Sequence, residues 1–327
     1  MSRLAALLVL LLALSPQSFA AGNAGDKAPD FPPGLFSDNR PHSMKEFEGK
    51  AVVLFFYEQE CPTCRGKIPE RNAVVELFRG KPVVFIAVAA GDSLTEAQQY
   101  ARETKLAMPA FADNLSLMEK RYGFTISLRN IYQFRVINPE GRIVDYSMEA
   151  PAIQKVLAKA KWKYKDAGYD SKLDQAIESF EWNQYDQGMR ALKPFLKNSK
   201  KEVAESASKL YEAVKSEGAE WLAKAEAAIA AEKPVEAYDL YTKVASAFPG
   251  DDLAKKTVDP LKKLATSPAI KDELAARQMY TQLCTGAGKA RAQQRPAVAD
   301  FAATIAKKYP KTPTGEKCAE LAKELGA

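Results

Sequence analysis

Two of the chain's four cysteines stand three residues apart, Cys61 and Cys64 in LFFYEQECPTCRGKIPE (54–70). They follow an apolar run and precede a segment that reads as the first turn of a helix. Such a pair is either a redox couple or half of a metal site. At a helix N-terminus the first sulfur lies near backbone N–H groups that lack helical partners, and near the positive end of the helix dipole. Both favour thiolate over thiol. A thiolate attacks a disulfide sulfur, and a second cysteine on the same turn resolves the mixed disulfide. Pro62 suits the first helical position, where its missing N–H would have found no partner. Arg65 supports the thiolate, whereas the carboxylate of Glu60, and that of Glu58 beside it, opposes ionisation.

The competing chemistries are weaker. A structural zinc site needs four ligands, but the single histidine is His42 and the other cysteines, Cys284 and Cys318, are not paired in sequence. Covalent haem attachment calls for histidine after the second cysteine, where Arg65 stands. A purely structural Cys61–Cys64 bond would close a very short loop and constrain the unfolded chain little. Redox chemistry is favoured, with no metal and no cofactor expected.

The elements that must position this pair are legible on either side. AVVLFFY (51–57) and PVVFIAVAA (82–90) read as buried strands of a mostly parallel sheet. Between them Ile68, Val74, Val75, Leu77 and Phe78 recur at helical spacing, with Pro69 expected to kink the helix. Ser93 and Glu96 form a capping box for a helix over SLTEAQQYARETKL. Residues 131–148 read as a hairpin turning at Asn138–Gly141, followed by a closing helix from APAIQKVLAKAKW. KAKWKYK (159–165) reads as a solvated helix end rather than a nucleic-acid patch.

From about residue 166 the strand signal vanishes, and helices of about 12–16 residues are expected. DLYTKVASAFPG (239–250) and DFAATIAKKYPK (300–311) superpose, matching Leu240 with Phe301, Val244 with Ile305, Phe248 with Tyr309 and Pro249 with Pro310. This pattern resembles tetratricopeptide-type helical hairpins, without their Trp-Leu-Gly signature; a generic helical bundle is the alternative. Cys284 and Cys318 would then occupy equivalent places on neighbouring helices, where a disulfide is expected, against the alternative of two small buried apolar residues.

The first twenty residues carry Arg3, an unbroken apolar stretch from Leu4 to Leu14, and small residues at Ser18 and Ala20. This is the layout of a signal peptide cut after Ala20, and its apolar core is too short to span a bilayer. The expected organisation is a signal peptide over 1–20, an α/β domain over 21–165 and an α-helical repeat-like domain over 166–327. A net charge of +6, mild for 327 residues, gives no reason to expect nucleic-acid binding.

With Ala28-Pro29-Asp30-Phe31, Phe47-Glu48-Gly49-Lys50 before the first strand, CPTCRGKIPE, MEKRYGF and VINPEGRIV, residues 28–162 resemble the TlpA-like, redoxin branch of the thioredoxin superfamily. The resemblance implies a thioredoxin fold, with Cys61 as an exposed nucleophile and Cys64 as the resolving thiol. It implies protein thiol or disulfide clients and a redox donor outside the cytosol. Two departures stand out. Glu60 replaces the tryptophan usual before the nucleophile, and Tyr132 stands where the family carries a cis-proline facing the pair. Peroxiredoxins share the second feature, but their Pro-x-x-x-Thr-x-x-Cys loop does not precede Cys61. The leading expectation is an exported thiol–disulfide oxidoreductase, periplasmic or secreted, whose helical domain binds partners or self-associates. The alternative is a helical scaffold whose thioredoxin-like domain has little general activity.

Overall fold

A computed structural model describes residues 22–127, 130–131 and 133–326. The signal-peptide reading of residues 1–20 and the placement of Tyr132 therefore lie outside the described residues.

The first half is built on a five-stranded sheet. Strand β1 (Ala51–Tyr57) leads through helix α1 (Pro62–Leu77) to β2 (Val83–Ala90), and α2 (Leu94–Thr104) leads to β3 (Ala110–Asp113). Helix α3 (Leu117–Tyr122) precedes the hairpin of β4 (Gln133–Ile137) and β5 (Ile143–Asp145), and α4 (Ala150–Leu157) follows. The strand order is β3-β2-β1-β4-β5. The β1–β2 and β2–β3 pairs are parallel, whereas β1–β4 and β4–β5 are antiparallel. This is the thioredoxin-like arrangement that the motifs implied.

Every residue of β1 is buried because both faces of the sheet are covered. Val53, Phe55 and Tyr57 pack with Phe85, Ala87 and Ala89 on one face. Val52, Leu54 and Phe56 pack with Val84, Ile86 and Val88 on the other. Alternating side chains buried on both sides give the continuous apolar runs seen in the sequence. The Ser93–Glu96 capping box is present, with the Ser93 N–H donating to Glu96 at 2.8 Å. The hairpin turn closes through Gly141 N–H to Asn138 O at 2.9 Å, with Gly141 at φ +75°. Pro69 lies inside α1, which runs through it from Pro62 to Leu77.

The second half is helical, and no strand follows Asp145 among the described residues. It comprises α5 (Asp174–Glu181), α6 (Tyr185–Leu192), α7 (Lys201–Ala230), α8 (Pro234–Ala247), α9 (Asp252–Lys255), α10 (Val258–Ala265), α11 (Pro268–Lys289), α12 (Arg295–Lys308) and α13 (Pro313–Leu325). The two similar segments fall on α8 and α12, each of 14 residues and each closed by its aromatic, Phe248 or Tyr309, as C-cap. The expected helix length is corrected in both directions: α7 runs for 30 residues and α11 for 22, whereas α5, α6 and α10 have 8 each and α9 has 4. Helix α7 runs unbroken through Gly218, whose missing side chain makes room for the Phe248 ring that a methyl group would strike.

KAKWKYK is also corrected. Helix α4 ends at Leu157, before it, and Tyr164 is buried while the Trp162 indole N–H donates to Gly80 O at 3.0 Å. The segment is a packed connector between the halves. Further contacts fasten them together. Lys50 Nζ donates to Glu181 O at 2.9 Å, Arg121 pairs with Glu324 at 2.7 Å, and Asn114 donates to the carbonyls of Ala287 and Ala290. Leu115 and Leu117 are buried in the cluster formed by α11, α12 and α13.

Candidate active site

The parallel strands β1, β2 and β3 end at one edge of the sheet, and the sequence-predicted pair lies just beyond that edge. Helix α1 begins at Pro62 with Cys61 as its N-cap, at φ −75° and ψ 108°. The Cys61 Sγ accepts the Cys64 backbone N–H at 3.2 Å. A sulfur thereby takes the place usually filled by a capping oxygen, against donors that the helix cannot satisfy internally. Pro62 occupies the first turn, as expected.

The exposure expected of Cys61 is corrected. Cys61 is 1% exposed and Cys64 2%. Both belong to the buried cluster that includes Tyr57, Tyr100, Ile131 and Phe134. Pro62 and Thr63, between them, are exposed. The Cys64 thiol is pushed up to about 12, first by burial and then by its hydrogen bond with Cys61; a backbone hydrogen bond at Glu58 works against this. Cys64 is thus held protonated while Cys61 caps the helix.

The flanking charges differ from the sequence expectation in detail. Arg65 turns away to Glu103 on α2, with contacts at 3.1 and 3.2 Å, and its guanidinium lies 5.1 Å from the centre of the Tyr100 ring. Glu60 is exposed, with its N–H donating to Glu58 at 3.3 Å. Glu58 is the carboxylate that bears on Cys64, and both Glu58 and Glu60 bear on Asp92.

Residues 24–146 match the AhpC/TSA family. The chain is similar to the thiol-disulfide oxidoreductase ResA of Geobacillus thermodenitrificans, 29% identical over 126 residues that cover 36% of this chain and 71% of the relative. It is likewise 28% identical to ResA of Geobacillus kaustophilus over 120 residues, covering 34% and 67%. Among solved structures, the thioredoxin domain of a Bacteroides vulgatus thiol-disulfide oxidoreductase covers 42% of this chain and 96% of its own, with 19% identity and a TM-score of 0.36. Over this segment the resemblance to the TlpA-like, redoxin branch stands.

Three polar groups of the redoxin-like half lie beside the cysteines and were not singled out from the sequence. Asp92 follows Gly91 just past β2 and is buried, with Oδ2 lacking a partner. The hydroxyls of Tyr57 and Tyr100 are also buried without partners. Their rings stack 4.6 Å apart. Burial first, and then Glu96, Glu58 and Glu60, push Asp92 up to about 7. The available signal was topological: Tyr57 ends β1 and Asp92 follows β2, so parallel pairing brings both to the edge where Cys61 lies.

The other two cysteines belong to the helical half. Cys284 on α11 and Cys318 on α13 are buried thiols, near enough that each bears on the titration of Tyr280. Burial pushes the Cys284 thiol up, and the Cys318 thiol up to about 11. Among the described residues no three His, Cys, Asp or Glu side chains converge as metal ligands. No described helix is long and apolar enough to cross a membrane.

Proposed function

We propose that the chain is an exported thiol–disulfide oxidoreductase working through Cys61 and Cys64, with residues 21–165 as its redox domain and 166–327 as a partner-binding helical domain. The observation that carries this reading is the Cys61 sulfur capping α1, within hydrogen-bond reach of the Cys64 amide. The Cys61 thiolate attacks one sulfur of a client disulfide, forming a mixed disulfide and releasing one client thiolate. Cys64 then loses its proton and attacks Cys61 Sγ, expelling the second client thiolate. The client disulfide gains two electrons, and the pair becomes a Cys61–Cys64 disulfide that a thiol donor must reduce again. Run in reverse, the same steps oxidise a client dithiol. The names of the similar ResA proteins agree with this chemistry. Export rests on the composition of residues 1–20 alone.

Replacing Cys64 with serine tests the reading, because the resolving thiol is then gone. The expected result is a stable mixed disulfide through Cys61 when the variant meets a small disulfide substrate. A Cys64→Ser protein that captures no substrate, and whose Cys61 alkylates no faster than an ordinary thiol, overturns it.

A second reading, a scaffold with little general redox activity, is favoured by one observation: both sulfurs are almost fully covered. It requires that wild type and Cys61→Ser turn over a small disulfide at equal rates.

A further inference from the structure

We propose that the cleft between the sheet domain and the helices binds an acidic peptide segment of a partner protein, with Lys243 as its central cation. The cleft encloses about 1300 Å³, more than the ~300–1,000 Å³ usual for small-molecule sites. One wall carries Lys45, Gly49, Lys50 and the 159–163 connector; the other carries α7, α8 and Arg277 of α11. Gly49 and Lys50 precede β1, whereas Cys61 follows it. The length of β1, seven residues at ~3.3 Å each, therefore separates this site from the cysteines.

The charge lining the cleft is one-sided once existing pairs are accounted for. Glu181 is taken by Lys50 and by the amides of Lys163, Tyr164 and Lys165. Glu217 accepts from Tyr164, Tyr185 and Lys163. Asp239 is held by Arg277, Glu46 caps Ser43 and meets His42, and Glu236 faces Lys233. Of the lining carboxylates, Glu48 alone has no such partner among the described residues. Against it stand Lys45, Lys159, Lys161, Lys224 and Lys243, none of them in an ion pair among the described residues.

Lys243 is the half-buried member of that set. Its ammonium lies 3.7 Å from the centre of the Trp221 ring and 5.2 Å from that of Tyr185. Burial lowers its affinity for a proton and Lys163, Lys45 and Lys224 repel it, with Glu217 acting against them. A cation desolvated among other cations is stabilised by an incoming anion. The ring faces favour carboxylates over nucleobases, because lysines already cover them: Lys243 lies over Trp221, and Lys50 and Lys165 over Trp162. The ligand is therefore an extended segment with several Asp or Glu side chains. This gives a chemistry to the partner binding proposed for the helical domain and uses neither cysteine.

The test is fluorescence anisotropy at low salt with a labelled, glutamate-rich peptide, its glutamine counterpart and an oligothymidylate. The glutamate peptide should bind and the glutamine peptide should not. Lys243→Gln should weaken binding about tenfold or more, the loss of one charge-assisted contact. Lys243→Arg should largely restore it, and Lys155→Gln, outside the cleft, should change nothing. If Lys243→Gln unfolds, the exposed pair Lys45→Gln with Lys224→Gln serves and should show a similar drop. A Cys61→Ser, Cys64→Ser protein should bind the peptide like wild type, so failure of the redox reading leaves this result standing. The proposal is overturned if both peptides bind alike, if the glutamate peptide does not bind, if the lysine variants match wild type, or if the oligothymidylate binds more tightly in a Lys243-dependent way.

Discussion

Replacing Asp92 with asparagine should stabilise the protein at alkaline pH relative to acid pH. Asp92 is buried with an unpartnered oxygen, near Glu96, Glu58 and Glu60 and beside the unpartnered hydroxyls of Tyr57 and Tyr100. Its carboxyl is raised from 3.8 to about 7. The folded protein thus holds a proton that the unfolded chain gives up. Stability contributed by the protonated acid is full below the unfolded value and falls as pH rises from 3.8 to about 7. At ~1.36 kcal/mol per unit the shift corresponds to ~4 kcal/mol as an upper bound, and relaxation around the ion brings the expected effect to about 1–3 kcal/mol. Asparagine carries its own cost, an amide buried where partners are few. That cost does not depend on pH, so it cancels in a difference of differences. Urea unfolding of wild type and Asp92→Asn near pH ~4.5 and ~8.5 measures it, and the variant should gain about 1–3 kcal/mol more at the higher pH. An identical stability difference at both pH values refutes the argument.

His42, the chain's single histidine, donates to Glu46 and faces Asp38, and is raised from 6.5 to about 9. Its contribution to stability should be full below pH 6.5 and lost as pH rises through about 9, and NMR titration of its isolated ring resonance checks the value. His42→Gln should cost about 1 kcal/mol more at neutral pH than above the raised value, a difference reduced by solvent screening. Gly218→Ala should destabilise by about 1–3 kcal/mol, since a methyl group there meets the Phe248 ring in a packed core; thermal unfolding reads this directly. Cys284 and Cys318 should join under oxidising conditions, stabilising by about 3–4 kcal/mol through closure of the loop between them. Peptide masses without reductant would show the bond, and free alkylation of both thiols in the oxidised native protein would exclude it.

The sheet was legible because its strands are buried on both faces: AVVLFFY could not be mistaken for a half-exposed element. Strand β3 was not, because AFAD is four residues long and borrows its order from pairing with β2. The cysteine pair announced itself by spacing, and so did Pro62 at the helix start. Its burial did not, because the residues that share its cluster, Tyr100 and Ile131 among them, come from elements distant in sequence. Arg65 illustrates the same limit. One turn from the sulfur it reads as an activating charge, yet Glu103, 38 residues on, claims it. The helical half was legible as helix, but not in its lengths. At Gly218 in α7 the Phe248 ring fills the place of the missing side chain, a contact with the next helix's end that no local pattern shows.

The contacts of Leu115, Leu117 and Asn114 with the last helices have a consequence for how the chain is made. The sheet is complete in sequence by Asp145, but the backbone acceptor that Asn114 needs at Ala287 lies 173 residues further along. At ~5–20 residues per second of synthesis, that separation is a wait of roughly 10–35 s. During it the turn after β3 has two leucines and an amide with no native surroundings. A nascent chain held in this state offers that corner of the sheet to chaperones, or to neighbouring chains, before its own C-terminus can reach it.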